Sequence, residues 1–309
     1  MKAVLLDADS FKPEELDLTC LTDLPVELTQ YPTTTSEERI ERITDADIIL
    51  VNKVVLDADV LAHAKSVKYI GVLATGTNNV DKAYCQEHGI HVANVEGYGT
   101  DAVAQHALML MLNLATSCPA YSADVDAGKW SESPFFCLLD HPVMELAGKN
   151  LVIVGYGELG QRFAAMAKAL GMNVLVAARP GNPDDTRPSL DDLLPDADVI
   201  SLHCLLSEDS ARLINADRLK AMKSSALLIN TARGGLIDEP ALLHALKTGE
   251  IRGAGLDGLS VEPPPADHPL LNSGLKNLLV TPHSAWVAKE ARQRLLNIAA
   301  GHLKDFLSA

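Results

Sequence analysis

The sequence Leu151-Val152-Ile153-Val154 runs directly into Gly155-Tyr156-Gly157-Glu158-Leu159-Gly160, and an alanine-rich stretch follows up to Gly171. This is a G-x-G-x-x-G pattern between an apolar run typical of a buried strand and a segment typical of a helix. Gly155 allows a tight turn, Gly157 lets a pyrophosphate approach the backbone, and Gly160 lets the helix pack on the strand. The pyrophosphate would rest on the helix N-terminus. We therefore predict that residues 155–160 bind a dinucleotide.

Strand-like apolar runs alternate with helical patterns on both sides of this turn, which is the signature of parallel βαβ sheets. The second half of the chain has predicted strands at 151–154, 174–177, 199–203, 226–230, 253–256 and 278–281. The first third has predicted strands at 3–6, 26–28, 48–51, 69–73 and 91–95, with helical segments such as 36–43 and 57–64 between them. The predicted fold class is α/β, with two Rossmann-like or flavodoxin-like domains that each carry a doubly wound parallel sheet.

A chain of 309 residues is longer than one hydrophobic core usually serves, so two domains are expected. Residues 1–98 plus 287–309 are predicted to form a flavodoxin-like substrate-binding or lid domain, and residues 99–286 a Rossmann domain that binds NAD(P). A long helix at about 101–115 begins the second domain. We expect its apolar face, with Ala104, Leu108, Met111 and Leu112, to bury either against the α/β domain that follows it in the chain or against another subunit.

Composition excludes several other classes of protein. The 41 acidic residues outnumber the 26 basic ones, and a net charge of −15 disfavours nucleic acid and anionic lipid surfaces as partners. Five cysteines without a C-x-x-C pair argue against a disulfide framework and a zinc site, and no metal is predicted. No apolar run reaches the roughly 20 residues of a membrane span, so we expect a cytoplasmic protein.

The strand after the glycine turn indicates which dinucleotide binds. A carboxylate about 20 residues after the glycines usually accepts a hydrogen bond from a free ribose 2′-hydroxyl. This sequence has Ala178-Arg179 at that point instead. Without a carboxylate to repel a 2′-phosphate, the planar donor fork of Arg179 favours NADP as the cofactor. The alternative is a solvated Arg179 ahead of Pro180 and ordinary use of NAD.

Three side chains in the second half form a candidate reacting centre. Arg233 follows the predicted strand 226–230, and its guanidinium can grip a carboxylate with two hydrogen bonds. His283 follows the strand 278–281 and can exchange a proton near neutral pH. Glu262 lies in a proline-rich loop that would hold its carboxylate against the imidazole. A carboxylate clamp, a proton donor and a support for that donor suit the reduction of a 2-keto acid by hydride.

The order of these segments resembles the D-2-hydroxyacid dehydrogenase family. The matching segments are Ala74-Thr75-Gly76-Thr77-Asn78-Asn79-Val80-Asp81, Thr100-Asp101-Ala102-Val103-Ala104-Gln105-His106-Ala107, the glycine turn, Asn230-Thr231-Ala232-Arg233-Gly234, Asp257 with Val261-Glu262-Pro263, and Pro282-His283. They cover nearly the whole chain. Membership implies a homodimer that acts on a small 2-keto or 2-hydroxy acid, with the active site in the interdomain cleft.

The resemblance also implies roles for individual residues. Arg233, Glu262 and His283 would be catalytic, and Arg233 and His283 would also bind the substrate. Backbone amides at Ala74, Thr75 and Gly76 would bind the substrate carboxylate. Besides the glycine turn and Arg179, the implied cofactor contacts are His203, Cys204, Thr231, Ala232 and Asp257.

Trp286, Trp130-Ser131 and Phe136-Cys137 resemble the glycerate dehydrogenase and hydroxypyruvate or glyoxylate reductase branch of this family. The sequence departs from the family pattern at Ala178, where NAD-using members carry an acid, and at Leu205, where proline is frequent. A phosphoglycerate- or lactate-type dehydrogenase is one alternative. Another is a non-catalytic, nicotinamide-sensing corepressor on the same fold, for which an intact set of Arg, Glu and His would be superfluous.

Overall fold

The computed structural model describes all 309 residues, Met1 to Ala309, and the chain divides into two α/β units. The first unit contains Met1–Gly99 and Trp286–Ala309, and the second contains Thr100–Ala285. The predicted boundaries lie one residue away from these at each junction.

Eleven strands and twelve α-helices make up the two units. The strands are β1 (Lys2–Leu5), β2 (Glu27–Gln30), β3 (Ile48–Val51), β4 (Tyr69–Val72), β5 (His91–Asn94), β6 (Asn150–Val154), β7 (Asn173–Val176), β8 (Val199–Leu202), β9 (Leu227–Asn230), β10 (Gly253–Asp257) and β11 (Leu278–Thr281). The helices are α1 (Thr19–Thr22), α2 (Arg39–Ile43), α3 (Ala58–Leu61), α4 (Lys82–Glu87), α5 (Thr100–Thr116), α6 (Cys118–Asp126), α7 (Lys129–Glu132), α8 (Glu158–Ala169), α9 (Leu190–Leu193), α10 (Ala216–Ala221), α11 (Glu239–Thr248) and α12 (Lys289–Ser308). None of these helices has the length and apolar content needed to cross a bilayer.

The first unit is built on a five-stranded parallel sheet of order β2-β1-β3-β4-β5. This is the flavodoxin-like order that the sequence predicts. β3 and β4 are buried along their whole length, as expected for interior strands of a parallel sheet. The C-terminal helix α12 packs in this unit, where the Arg292 guanidinium donates to the Phe11 carbonyl at 2.8 Å and the Phe306 ring lies 4.8 Å from the Tyr69 ring.

The second unit is built on a six-stranded parallel sheet of order β11-β10-β9-β8-β6-β7. The chain runs outward from β6 in both directions, because β7 lies on one side of β6 and β8 on the other. In open α/β sheets, ligands bind where the strand order reverses. Residues 155–160 follow β6, so the glycine turn lies at this switch point.

Helix α5 packs inside the second unit, so its apolar face buries against the α/β domain that follows it in the chain, the first of the two expected partners. Ala104 and Met111 are fully buried in one cluster with Ile153 and Phe163 of the Rossmann core. Leu112, which we expected on the buried face, is 36% exposed. One residue corresponds to about 100° of helix rotation, so the position after Met111 already faces away from the core.

Candidate active site

The glycine turn after β6 is shaped by close backbone contacts. Gly155 has a φ of 92°, and a Cβ there would lie 2.5 Å from the backbone of His203 and Cys204. A Cβ on Gly160 would lie 2.1 Å from the Gly155 carbonyl oxygen, whereas a Cβ on Gly157 would meet nothing within 4 Å. Gly155 and Gly160 therefore permit tight packing, and Gly157 leaves an open approach to the N-terminus of α8.

Two further features suit a bound dinucleotide. No side chain caps the N-terminus of α8, so its first amides remain directed toward the open side of the turn. At the end of β9, the hydroxyl of Thr231 is buried without a hydrogen-bond partner. A buried polar atom without a partner is rare in native proteins, and a ligand group would satisfy it. The residues at this edge of the sheet fit the phosphate and ribose groups of a dinucleotide.

Two of the predicted cofactor contacts, His203 and Cys204, lie at the end of β8 and have uncharged side chains. The His203 Nε2 bonds to the Ser201 hydroxyl at 2.9 Å and the ring packs against Phe163, so burial lowers the His203 pKa to about 4. Burial also raises the pKa of the Cys204 thiol to about 11. The imidazole is therefore neutral and Cys204 is not a reactive thiolate at neutral pH.

The loop after β7 contains a carboxylate that the sequence pattern did not reveal. The Arg179 side chain is exposed, as expected, but the Arg179 amide donates to the Asp185 carboxylate at 2.8 Å. Arg187 also donates to Asp185, with Nε 2.8 Å from Oδ1. The Arg187 guanidinium lowers the pKa of Asp185, so this carboxylate is compensated, and the loop also contains Asp184 and contacts Asp209 at Gly181.

The structure brings His283 and Glu262 together. The His283 Nδ1 lies 2.7 Å from Glu262 Oε2, and the other carboxylate oxygen accepts from the Leu259 amide at 2.9 Å. Both side chains are 36% exposed. A Cβ on Gly258 would lie 2.1 Å from Glu262 Oε1, so the glycine leaves the space that this carboxylate occupies.

Arg233 lies on a turn that Asn230 holds at the end of β9. The Asn230 side chain donates to the Arg233 carbonyl at 2.8 Å and accepts from the Ala232 amide at 3.0 Å. The Arg233 side chain is exposed, with Nη1 donating to the Ala232 carbonyl. The following Gly234 packs so closely on Leu259 that a Cβ would lie 2.1 Å from its backbone. The Arg233 turn therefore touches the loop that carries Glu262.

Asp257, predicted to contact the cofactor, is buried and anchors the turn around His283. Its carboxylate accepts from the Ser284 and Ala285 amides, each at 2.8 Å, and from the Thr281 hydroxyl at 2.6 Å. The His106 Nε2 lies 2.8 Å from the same hydroxyl. His106 has no predicted role of its own, although an imidazole among the apolar residues of α5 is unusual in the sequence.

In the first unit, Ala74, Thr75 and Gly76 form the loop after β4. The Thr75 hydroxyl donates to the Val95 carbonyl at 3.0 Å, and the Asn94 side chain donates to the Thr75 carbonyl at 2.8 Å. These bonds order the loop at the carboxyl end of its sheet. Its part in substrate binding stays a prediction.

Comparison with known proteins identifies the family. Residues 108–285 match the model described as the NAD binding domain of D-isomer specific 2-hydroxyacid dehydrogenases. The chain belongs to this family. It is an oxidoreductase that uses a nicotinamide cofactor and a small 2-hydroxy acid substrate.

Full-length relatives and solved structures agree with this assignment. The chain is 43% identical to a glycerate dehydrogenase of Methylorubrum extorquens, over 99% of this chain and 96% of that protein. It is 40% identical to a hydroxypyruvate reductase of Blautia hydrogenotrophica, over 99% and 97% of the two chains. The crystal structure of the TT0316 protein from Thermus thermophilus superposes with a TM-score of 0.87 at 34% identity, covering 100% of this chain and 97% of that one.

Proposed function

We propose that this enzyme reduces hydroxypyruvate, and glyoxylate as a second substrate, to the corresponding 2-hydroxy acid with NADPH. The observation that carries the proposal is the 2.7 Å contact between His283 Nδ1 and Glu262 Oε2 at the carboxyl end of the Rossmann sheet. The names of the two relatives at 43% and 40% identity support hydroxypyruvate as the substrate. They do not favour the corepressor alternative.

The pair determines which ring nitrogen moves a proton. A carboxylate accepts hydrogen bonds only, so Glu262 holds the proton of His283 on Nδ1. The Nε2 atom then donates its proton to the substrate carbonyl oxygen in reduction and takes it back in oxidation. The 36% exposure of the His283 side chain lets solvent restore the proton between turnovers.

Arg233 would bind the substrate carboxylate. Its planar guanidinium offers two parallel donors, which fixes the position of the adjacent keto carbon as well as its charge. A bound nicotinamide supplies the hydride to that carbon. The contact between Gly234 and Leu259 supports this role, because it places the Arg233 turn against the loop that presents Glu262.

The loop after β7 supports NADP over NAD. Ala178 leaves no carboxylate at the end of the strand, and the charge of Asp185 is compensated by Arg187. The exposed guanidinium of Arg179 then provides the uncompensated positive charge that a 2′-phosphate needs. We expect Arg179→Ala to raise the KM for NADPH about tenfold, since a hydrogen bond to a charged group contributes roughly 1.5–3 kcal/mol. The KM for NADH should change little.

The decisive experiment is a panel of initial rates. Purified enzyme is assayed with hydroxypyruvate, glyoxylate, pyruvate and longer 2-keto acids, each with NADPH and NADH, by following oxidation of the cofactor. The highest kcat/KM should be for hydroxypyruvate with NADPH. A higher kcat/KM for pyruvate would contradict the substrate assignment, and a preference for NADH would contradict the role of Arg179.

Variants at the pair test the mechanism. We expect His283→Ala to lower kcat about 10²-fold, the usual contribution of a positioned acid or base, with unchanged NADPH binding. His244→Ala is the matched control, because His244 is an exposed histidine of the same unit. Near-normal turnover in His283→Ala would remove His283 from the reaction.

We also propose that the enzyme is a homodimer that associates through α6, α7 and the following loop. This segment exposes Trp130, Phe135, Phe136, Leu139 and Val143, and Phe136 and Leu139 are 92% and 88% accessible. A contiguous group of exposed large apolar side chains marks an association surface. Sedimentation of the wild type should give a dimer, and Phe136→Asp should shift it toward monomer. A wild-type monomer at micromolar concentration would exclude this assembly.

A further inference from the structure

A chain of hydrogen bonds links helix α5 to the turn around His283. The His106 Nε2 lies 2.8 Å from Thr281 Oγ1, and the same hydroxyl oxygen lies 2.6 Å from Asp257 Oδ1. Asp257 Oδ1 also accepts from the Ser284 amide, and its Oδ2 accepts from the Ala285 amide. These two amides belong to the residues directly after His283, so the chain begins on one helix and ends at the backbone of the proposed proton donor.

The direction of these hydrogen bonds follows from counting protons. Asp257 carries only acceptors, and its short contact with Thr281 requires that the hydroxyl proton point to the carboxylate. A hydroxyl has one proton, so Thr281 Oγ1 must accept from His106. The Nε2 atom of His106 therefore carries a proton and donates it. The donation from His106 polarises this hydroxyl and so strengthens its bond to Asp257, and it holds the Thr281 side chain in the position that favours this bond over the longer contact with the Leu256 carbonyl at 3.3 Å.

The network is shielded from water. Asp257 is 4% exposed and the His106 side chain is 17% exposed. Hydrogen bonds in such surroundings strengthen one another, and a polar group that loses its partner there has little water to replace it. A histidine is unusual at position 106 of α5, because the nearby residues Ala104, Ala107 and Leu110 are apolar and buried.

His283 needs external support to keep its conformation. Its φ is 52°, in the left-handed region that non-glycine residues seldom adopt. Such a conformation persists only when the surrounding structure determines it. The bonds from Asp257 to the next two amides are part of that determination, and they aim the imidazole at Glu262.

We propose that His106 is a positioning residue for the reaction: its Nε2 proton fixes Thr281 on Asp257, and Asp257 fixes the turn that aims the His283 imidazole. The inference rests on the proposed role of His283 and adds a residue that touches neither Glu262 nor His283 directly. His106 acts on the orientation of the proton donor, so its loss should lower kcat and leave the KM values for cofactor and keto acid nearly unchanged.

The test compares His106→Leu with His106→Gln. A glutamine amide nitrogen reaches about as far as the imidazole Nε2 and donates a proton, whereas leucine fills the space without donating. His106→Leu should lower kcat about tenfold, in the range for a misplaced catalytic group. His106→Gln should restore kcat to within about threefold of wild type, the residual cost of an imperfectly placed donor. A primary isotope effect with deuterated NADPH should be at least as large in His106→Leu as in wild type, because the chemical step has become slower.

Thr281 provides an independent arm of the test. Thr281→Val removes the hydroxyl at nearly constant shape, and Thr281→Ser keeps it. The double variant His106→Leu/Thr281→Val should be no slower than Thr281→Val alone, because both changes break one chain. If His106→Leu fails to fold, the contrast between Thr281→Val and Thr281→Ser carries the same comparison. His244→Leu controls for the loss of a histidine in this unit.

The outcomes separate this inference from the proposed function. Unchanged kcat in His106→Leu, equal losses in the leucine and glutamine variants, or additive losses in the double variant would each overturn the role of His106. If His106→Leu does not fold, equal rates in Thr281→Val and Thr281→Ser would also overturn it. If His283→Ala keeps its activity, the proposed mechanism itself fails. If His283→Ala is inactive while His106→Leu is normal, only the present inference fails.

Discussion

Gly258→Ala should slow the enzyme without altering any residue of the proposed catalytic set. A Cβ at this position would lie 2.1 Å from Glu262 Oε1, whereas real Cβ contacts stay beyond 3.0 Å, so the carboxylate oxygen must retreat by about 0.9 Å. The opposite oxygen of the same carboxylate bonds to His283 Nδ1 at 2.7 Å. A displacement of that size breaks or badly bends this bond, because hydrogen bonds weaken steeply beyond their usual distance and angle.

The size of the effect follows from the bond that is lost. A hydrogen bond to a charged group contributes roughly 1.5–3 kcal/mol. At about 1.36 kcal/mol for each factor of ten, kcat should fall roughly 10- to 100-fold. The assay is hydroxypyruvate reduction at saturating NADPH, followed through the absorbance of the reduced cofactor, with urea unfolding of the same preparation to measure stability.

Gly249→Ala is the matched control for the backbone. Gly258 and Gly249 have φ values of 108° and 75°, but a Cβ on Gly249 would meet nothing within 4 Å. Both variants should lose stability, since each forces a side chain into a backbone region suited to glycine. Only Gly258→Ala should lose kcat. Full activity in Gly258→Ala, or an equal loss in Gly249→Ala, would refute the dependence of His283 on the exact position of Glu262.

Three further predictions concern charge. The His203 pKa of about 4 lies below its usual 6.5, so on acidification the unfolded chain binds the proton before the folded chain does. The folded state therefore keeps its full stability above pH 6.5 and loses stability as the pH falls from 6.5 toward 4. Between pH 7 and pH 5 the wild type should lose about 2 kcal/mol that His203→Gln does not lose, as measured by urea unfolding. Hydrogen bonds from Lys129 and His141 lower the pKa of Asp124 below its ordinary value of 3.8. Asp124→Asn should therefore be less stable than wild type at pH 7, and the two proteins should become equally stable once the pH has fallen below the pKa of Asp124 in the folded protein. Arg233→Lys should lower kcat/KM for hydroxypyruvate about tenfold, because an ammonium lacks the two parallel donors that a guanidinium offers.

The sequence predicted the strands of these parallel sheets well, and the interior strands best. Such strands are buried on both faces, so they read as short continuous apolar runs. The predicted residues 48–51 are those of β3, which is buried along its whole length, and the predicted residues 278–281 are those of β11, an apolar edge strand that is half-buried. The short helices were predicted less well. Residues 57–64 were expected to be helical, but Asp57 caps the helix by accepting from the Val60 amide, and α3 ends at Leu61.

The candidate site was predictable where the residue type itself indicates the chemistry. An arginine, a glutamate and a histidine after strand ends are visible in a sequence, and the structure pairs two of them. The partners that hold them were not predictable, because they are chosen by tertiary contacts between distant segments. His106 and Thr281 are separated by 175 positions. Asp185 reaches the Arg179 amide only because the intervening residues turn back, and no periodic pattern encodes that turn.

The last residues of three adjacent strands form the hydrogen bonds that hold the turns around Arg233 and His283. Asn230 ends β9, Asp257 ends β10 and Thr281 ends β11, and each is a polar side chain at the end of an apolar strand. Asn230 binds the Ala232 amide and the Arg233 carbonyl, which lie before and after the Arg233 side chain, and Asp257 binds the amide just after His283.

The turns that carry Arg233 and His283 are therefore held by hydrogen bonds from the strand ends. A loop has no strand-to-strand hydrogen bonds of its own, so hydrogen bonds at its junction with the rigid sheet fix its conformation. Replacing a strand-end residue by an apolar one of equal size should leave the sheet intact and disorder the loop. The fold and the reactivity of this enzyme can thus be separated at three side chains that touch no substrate.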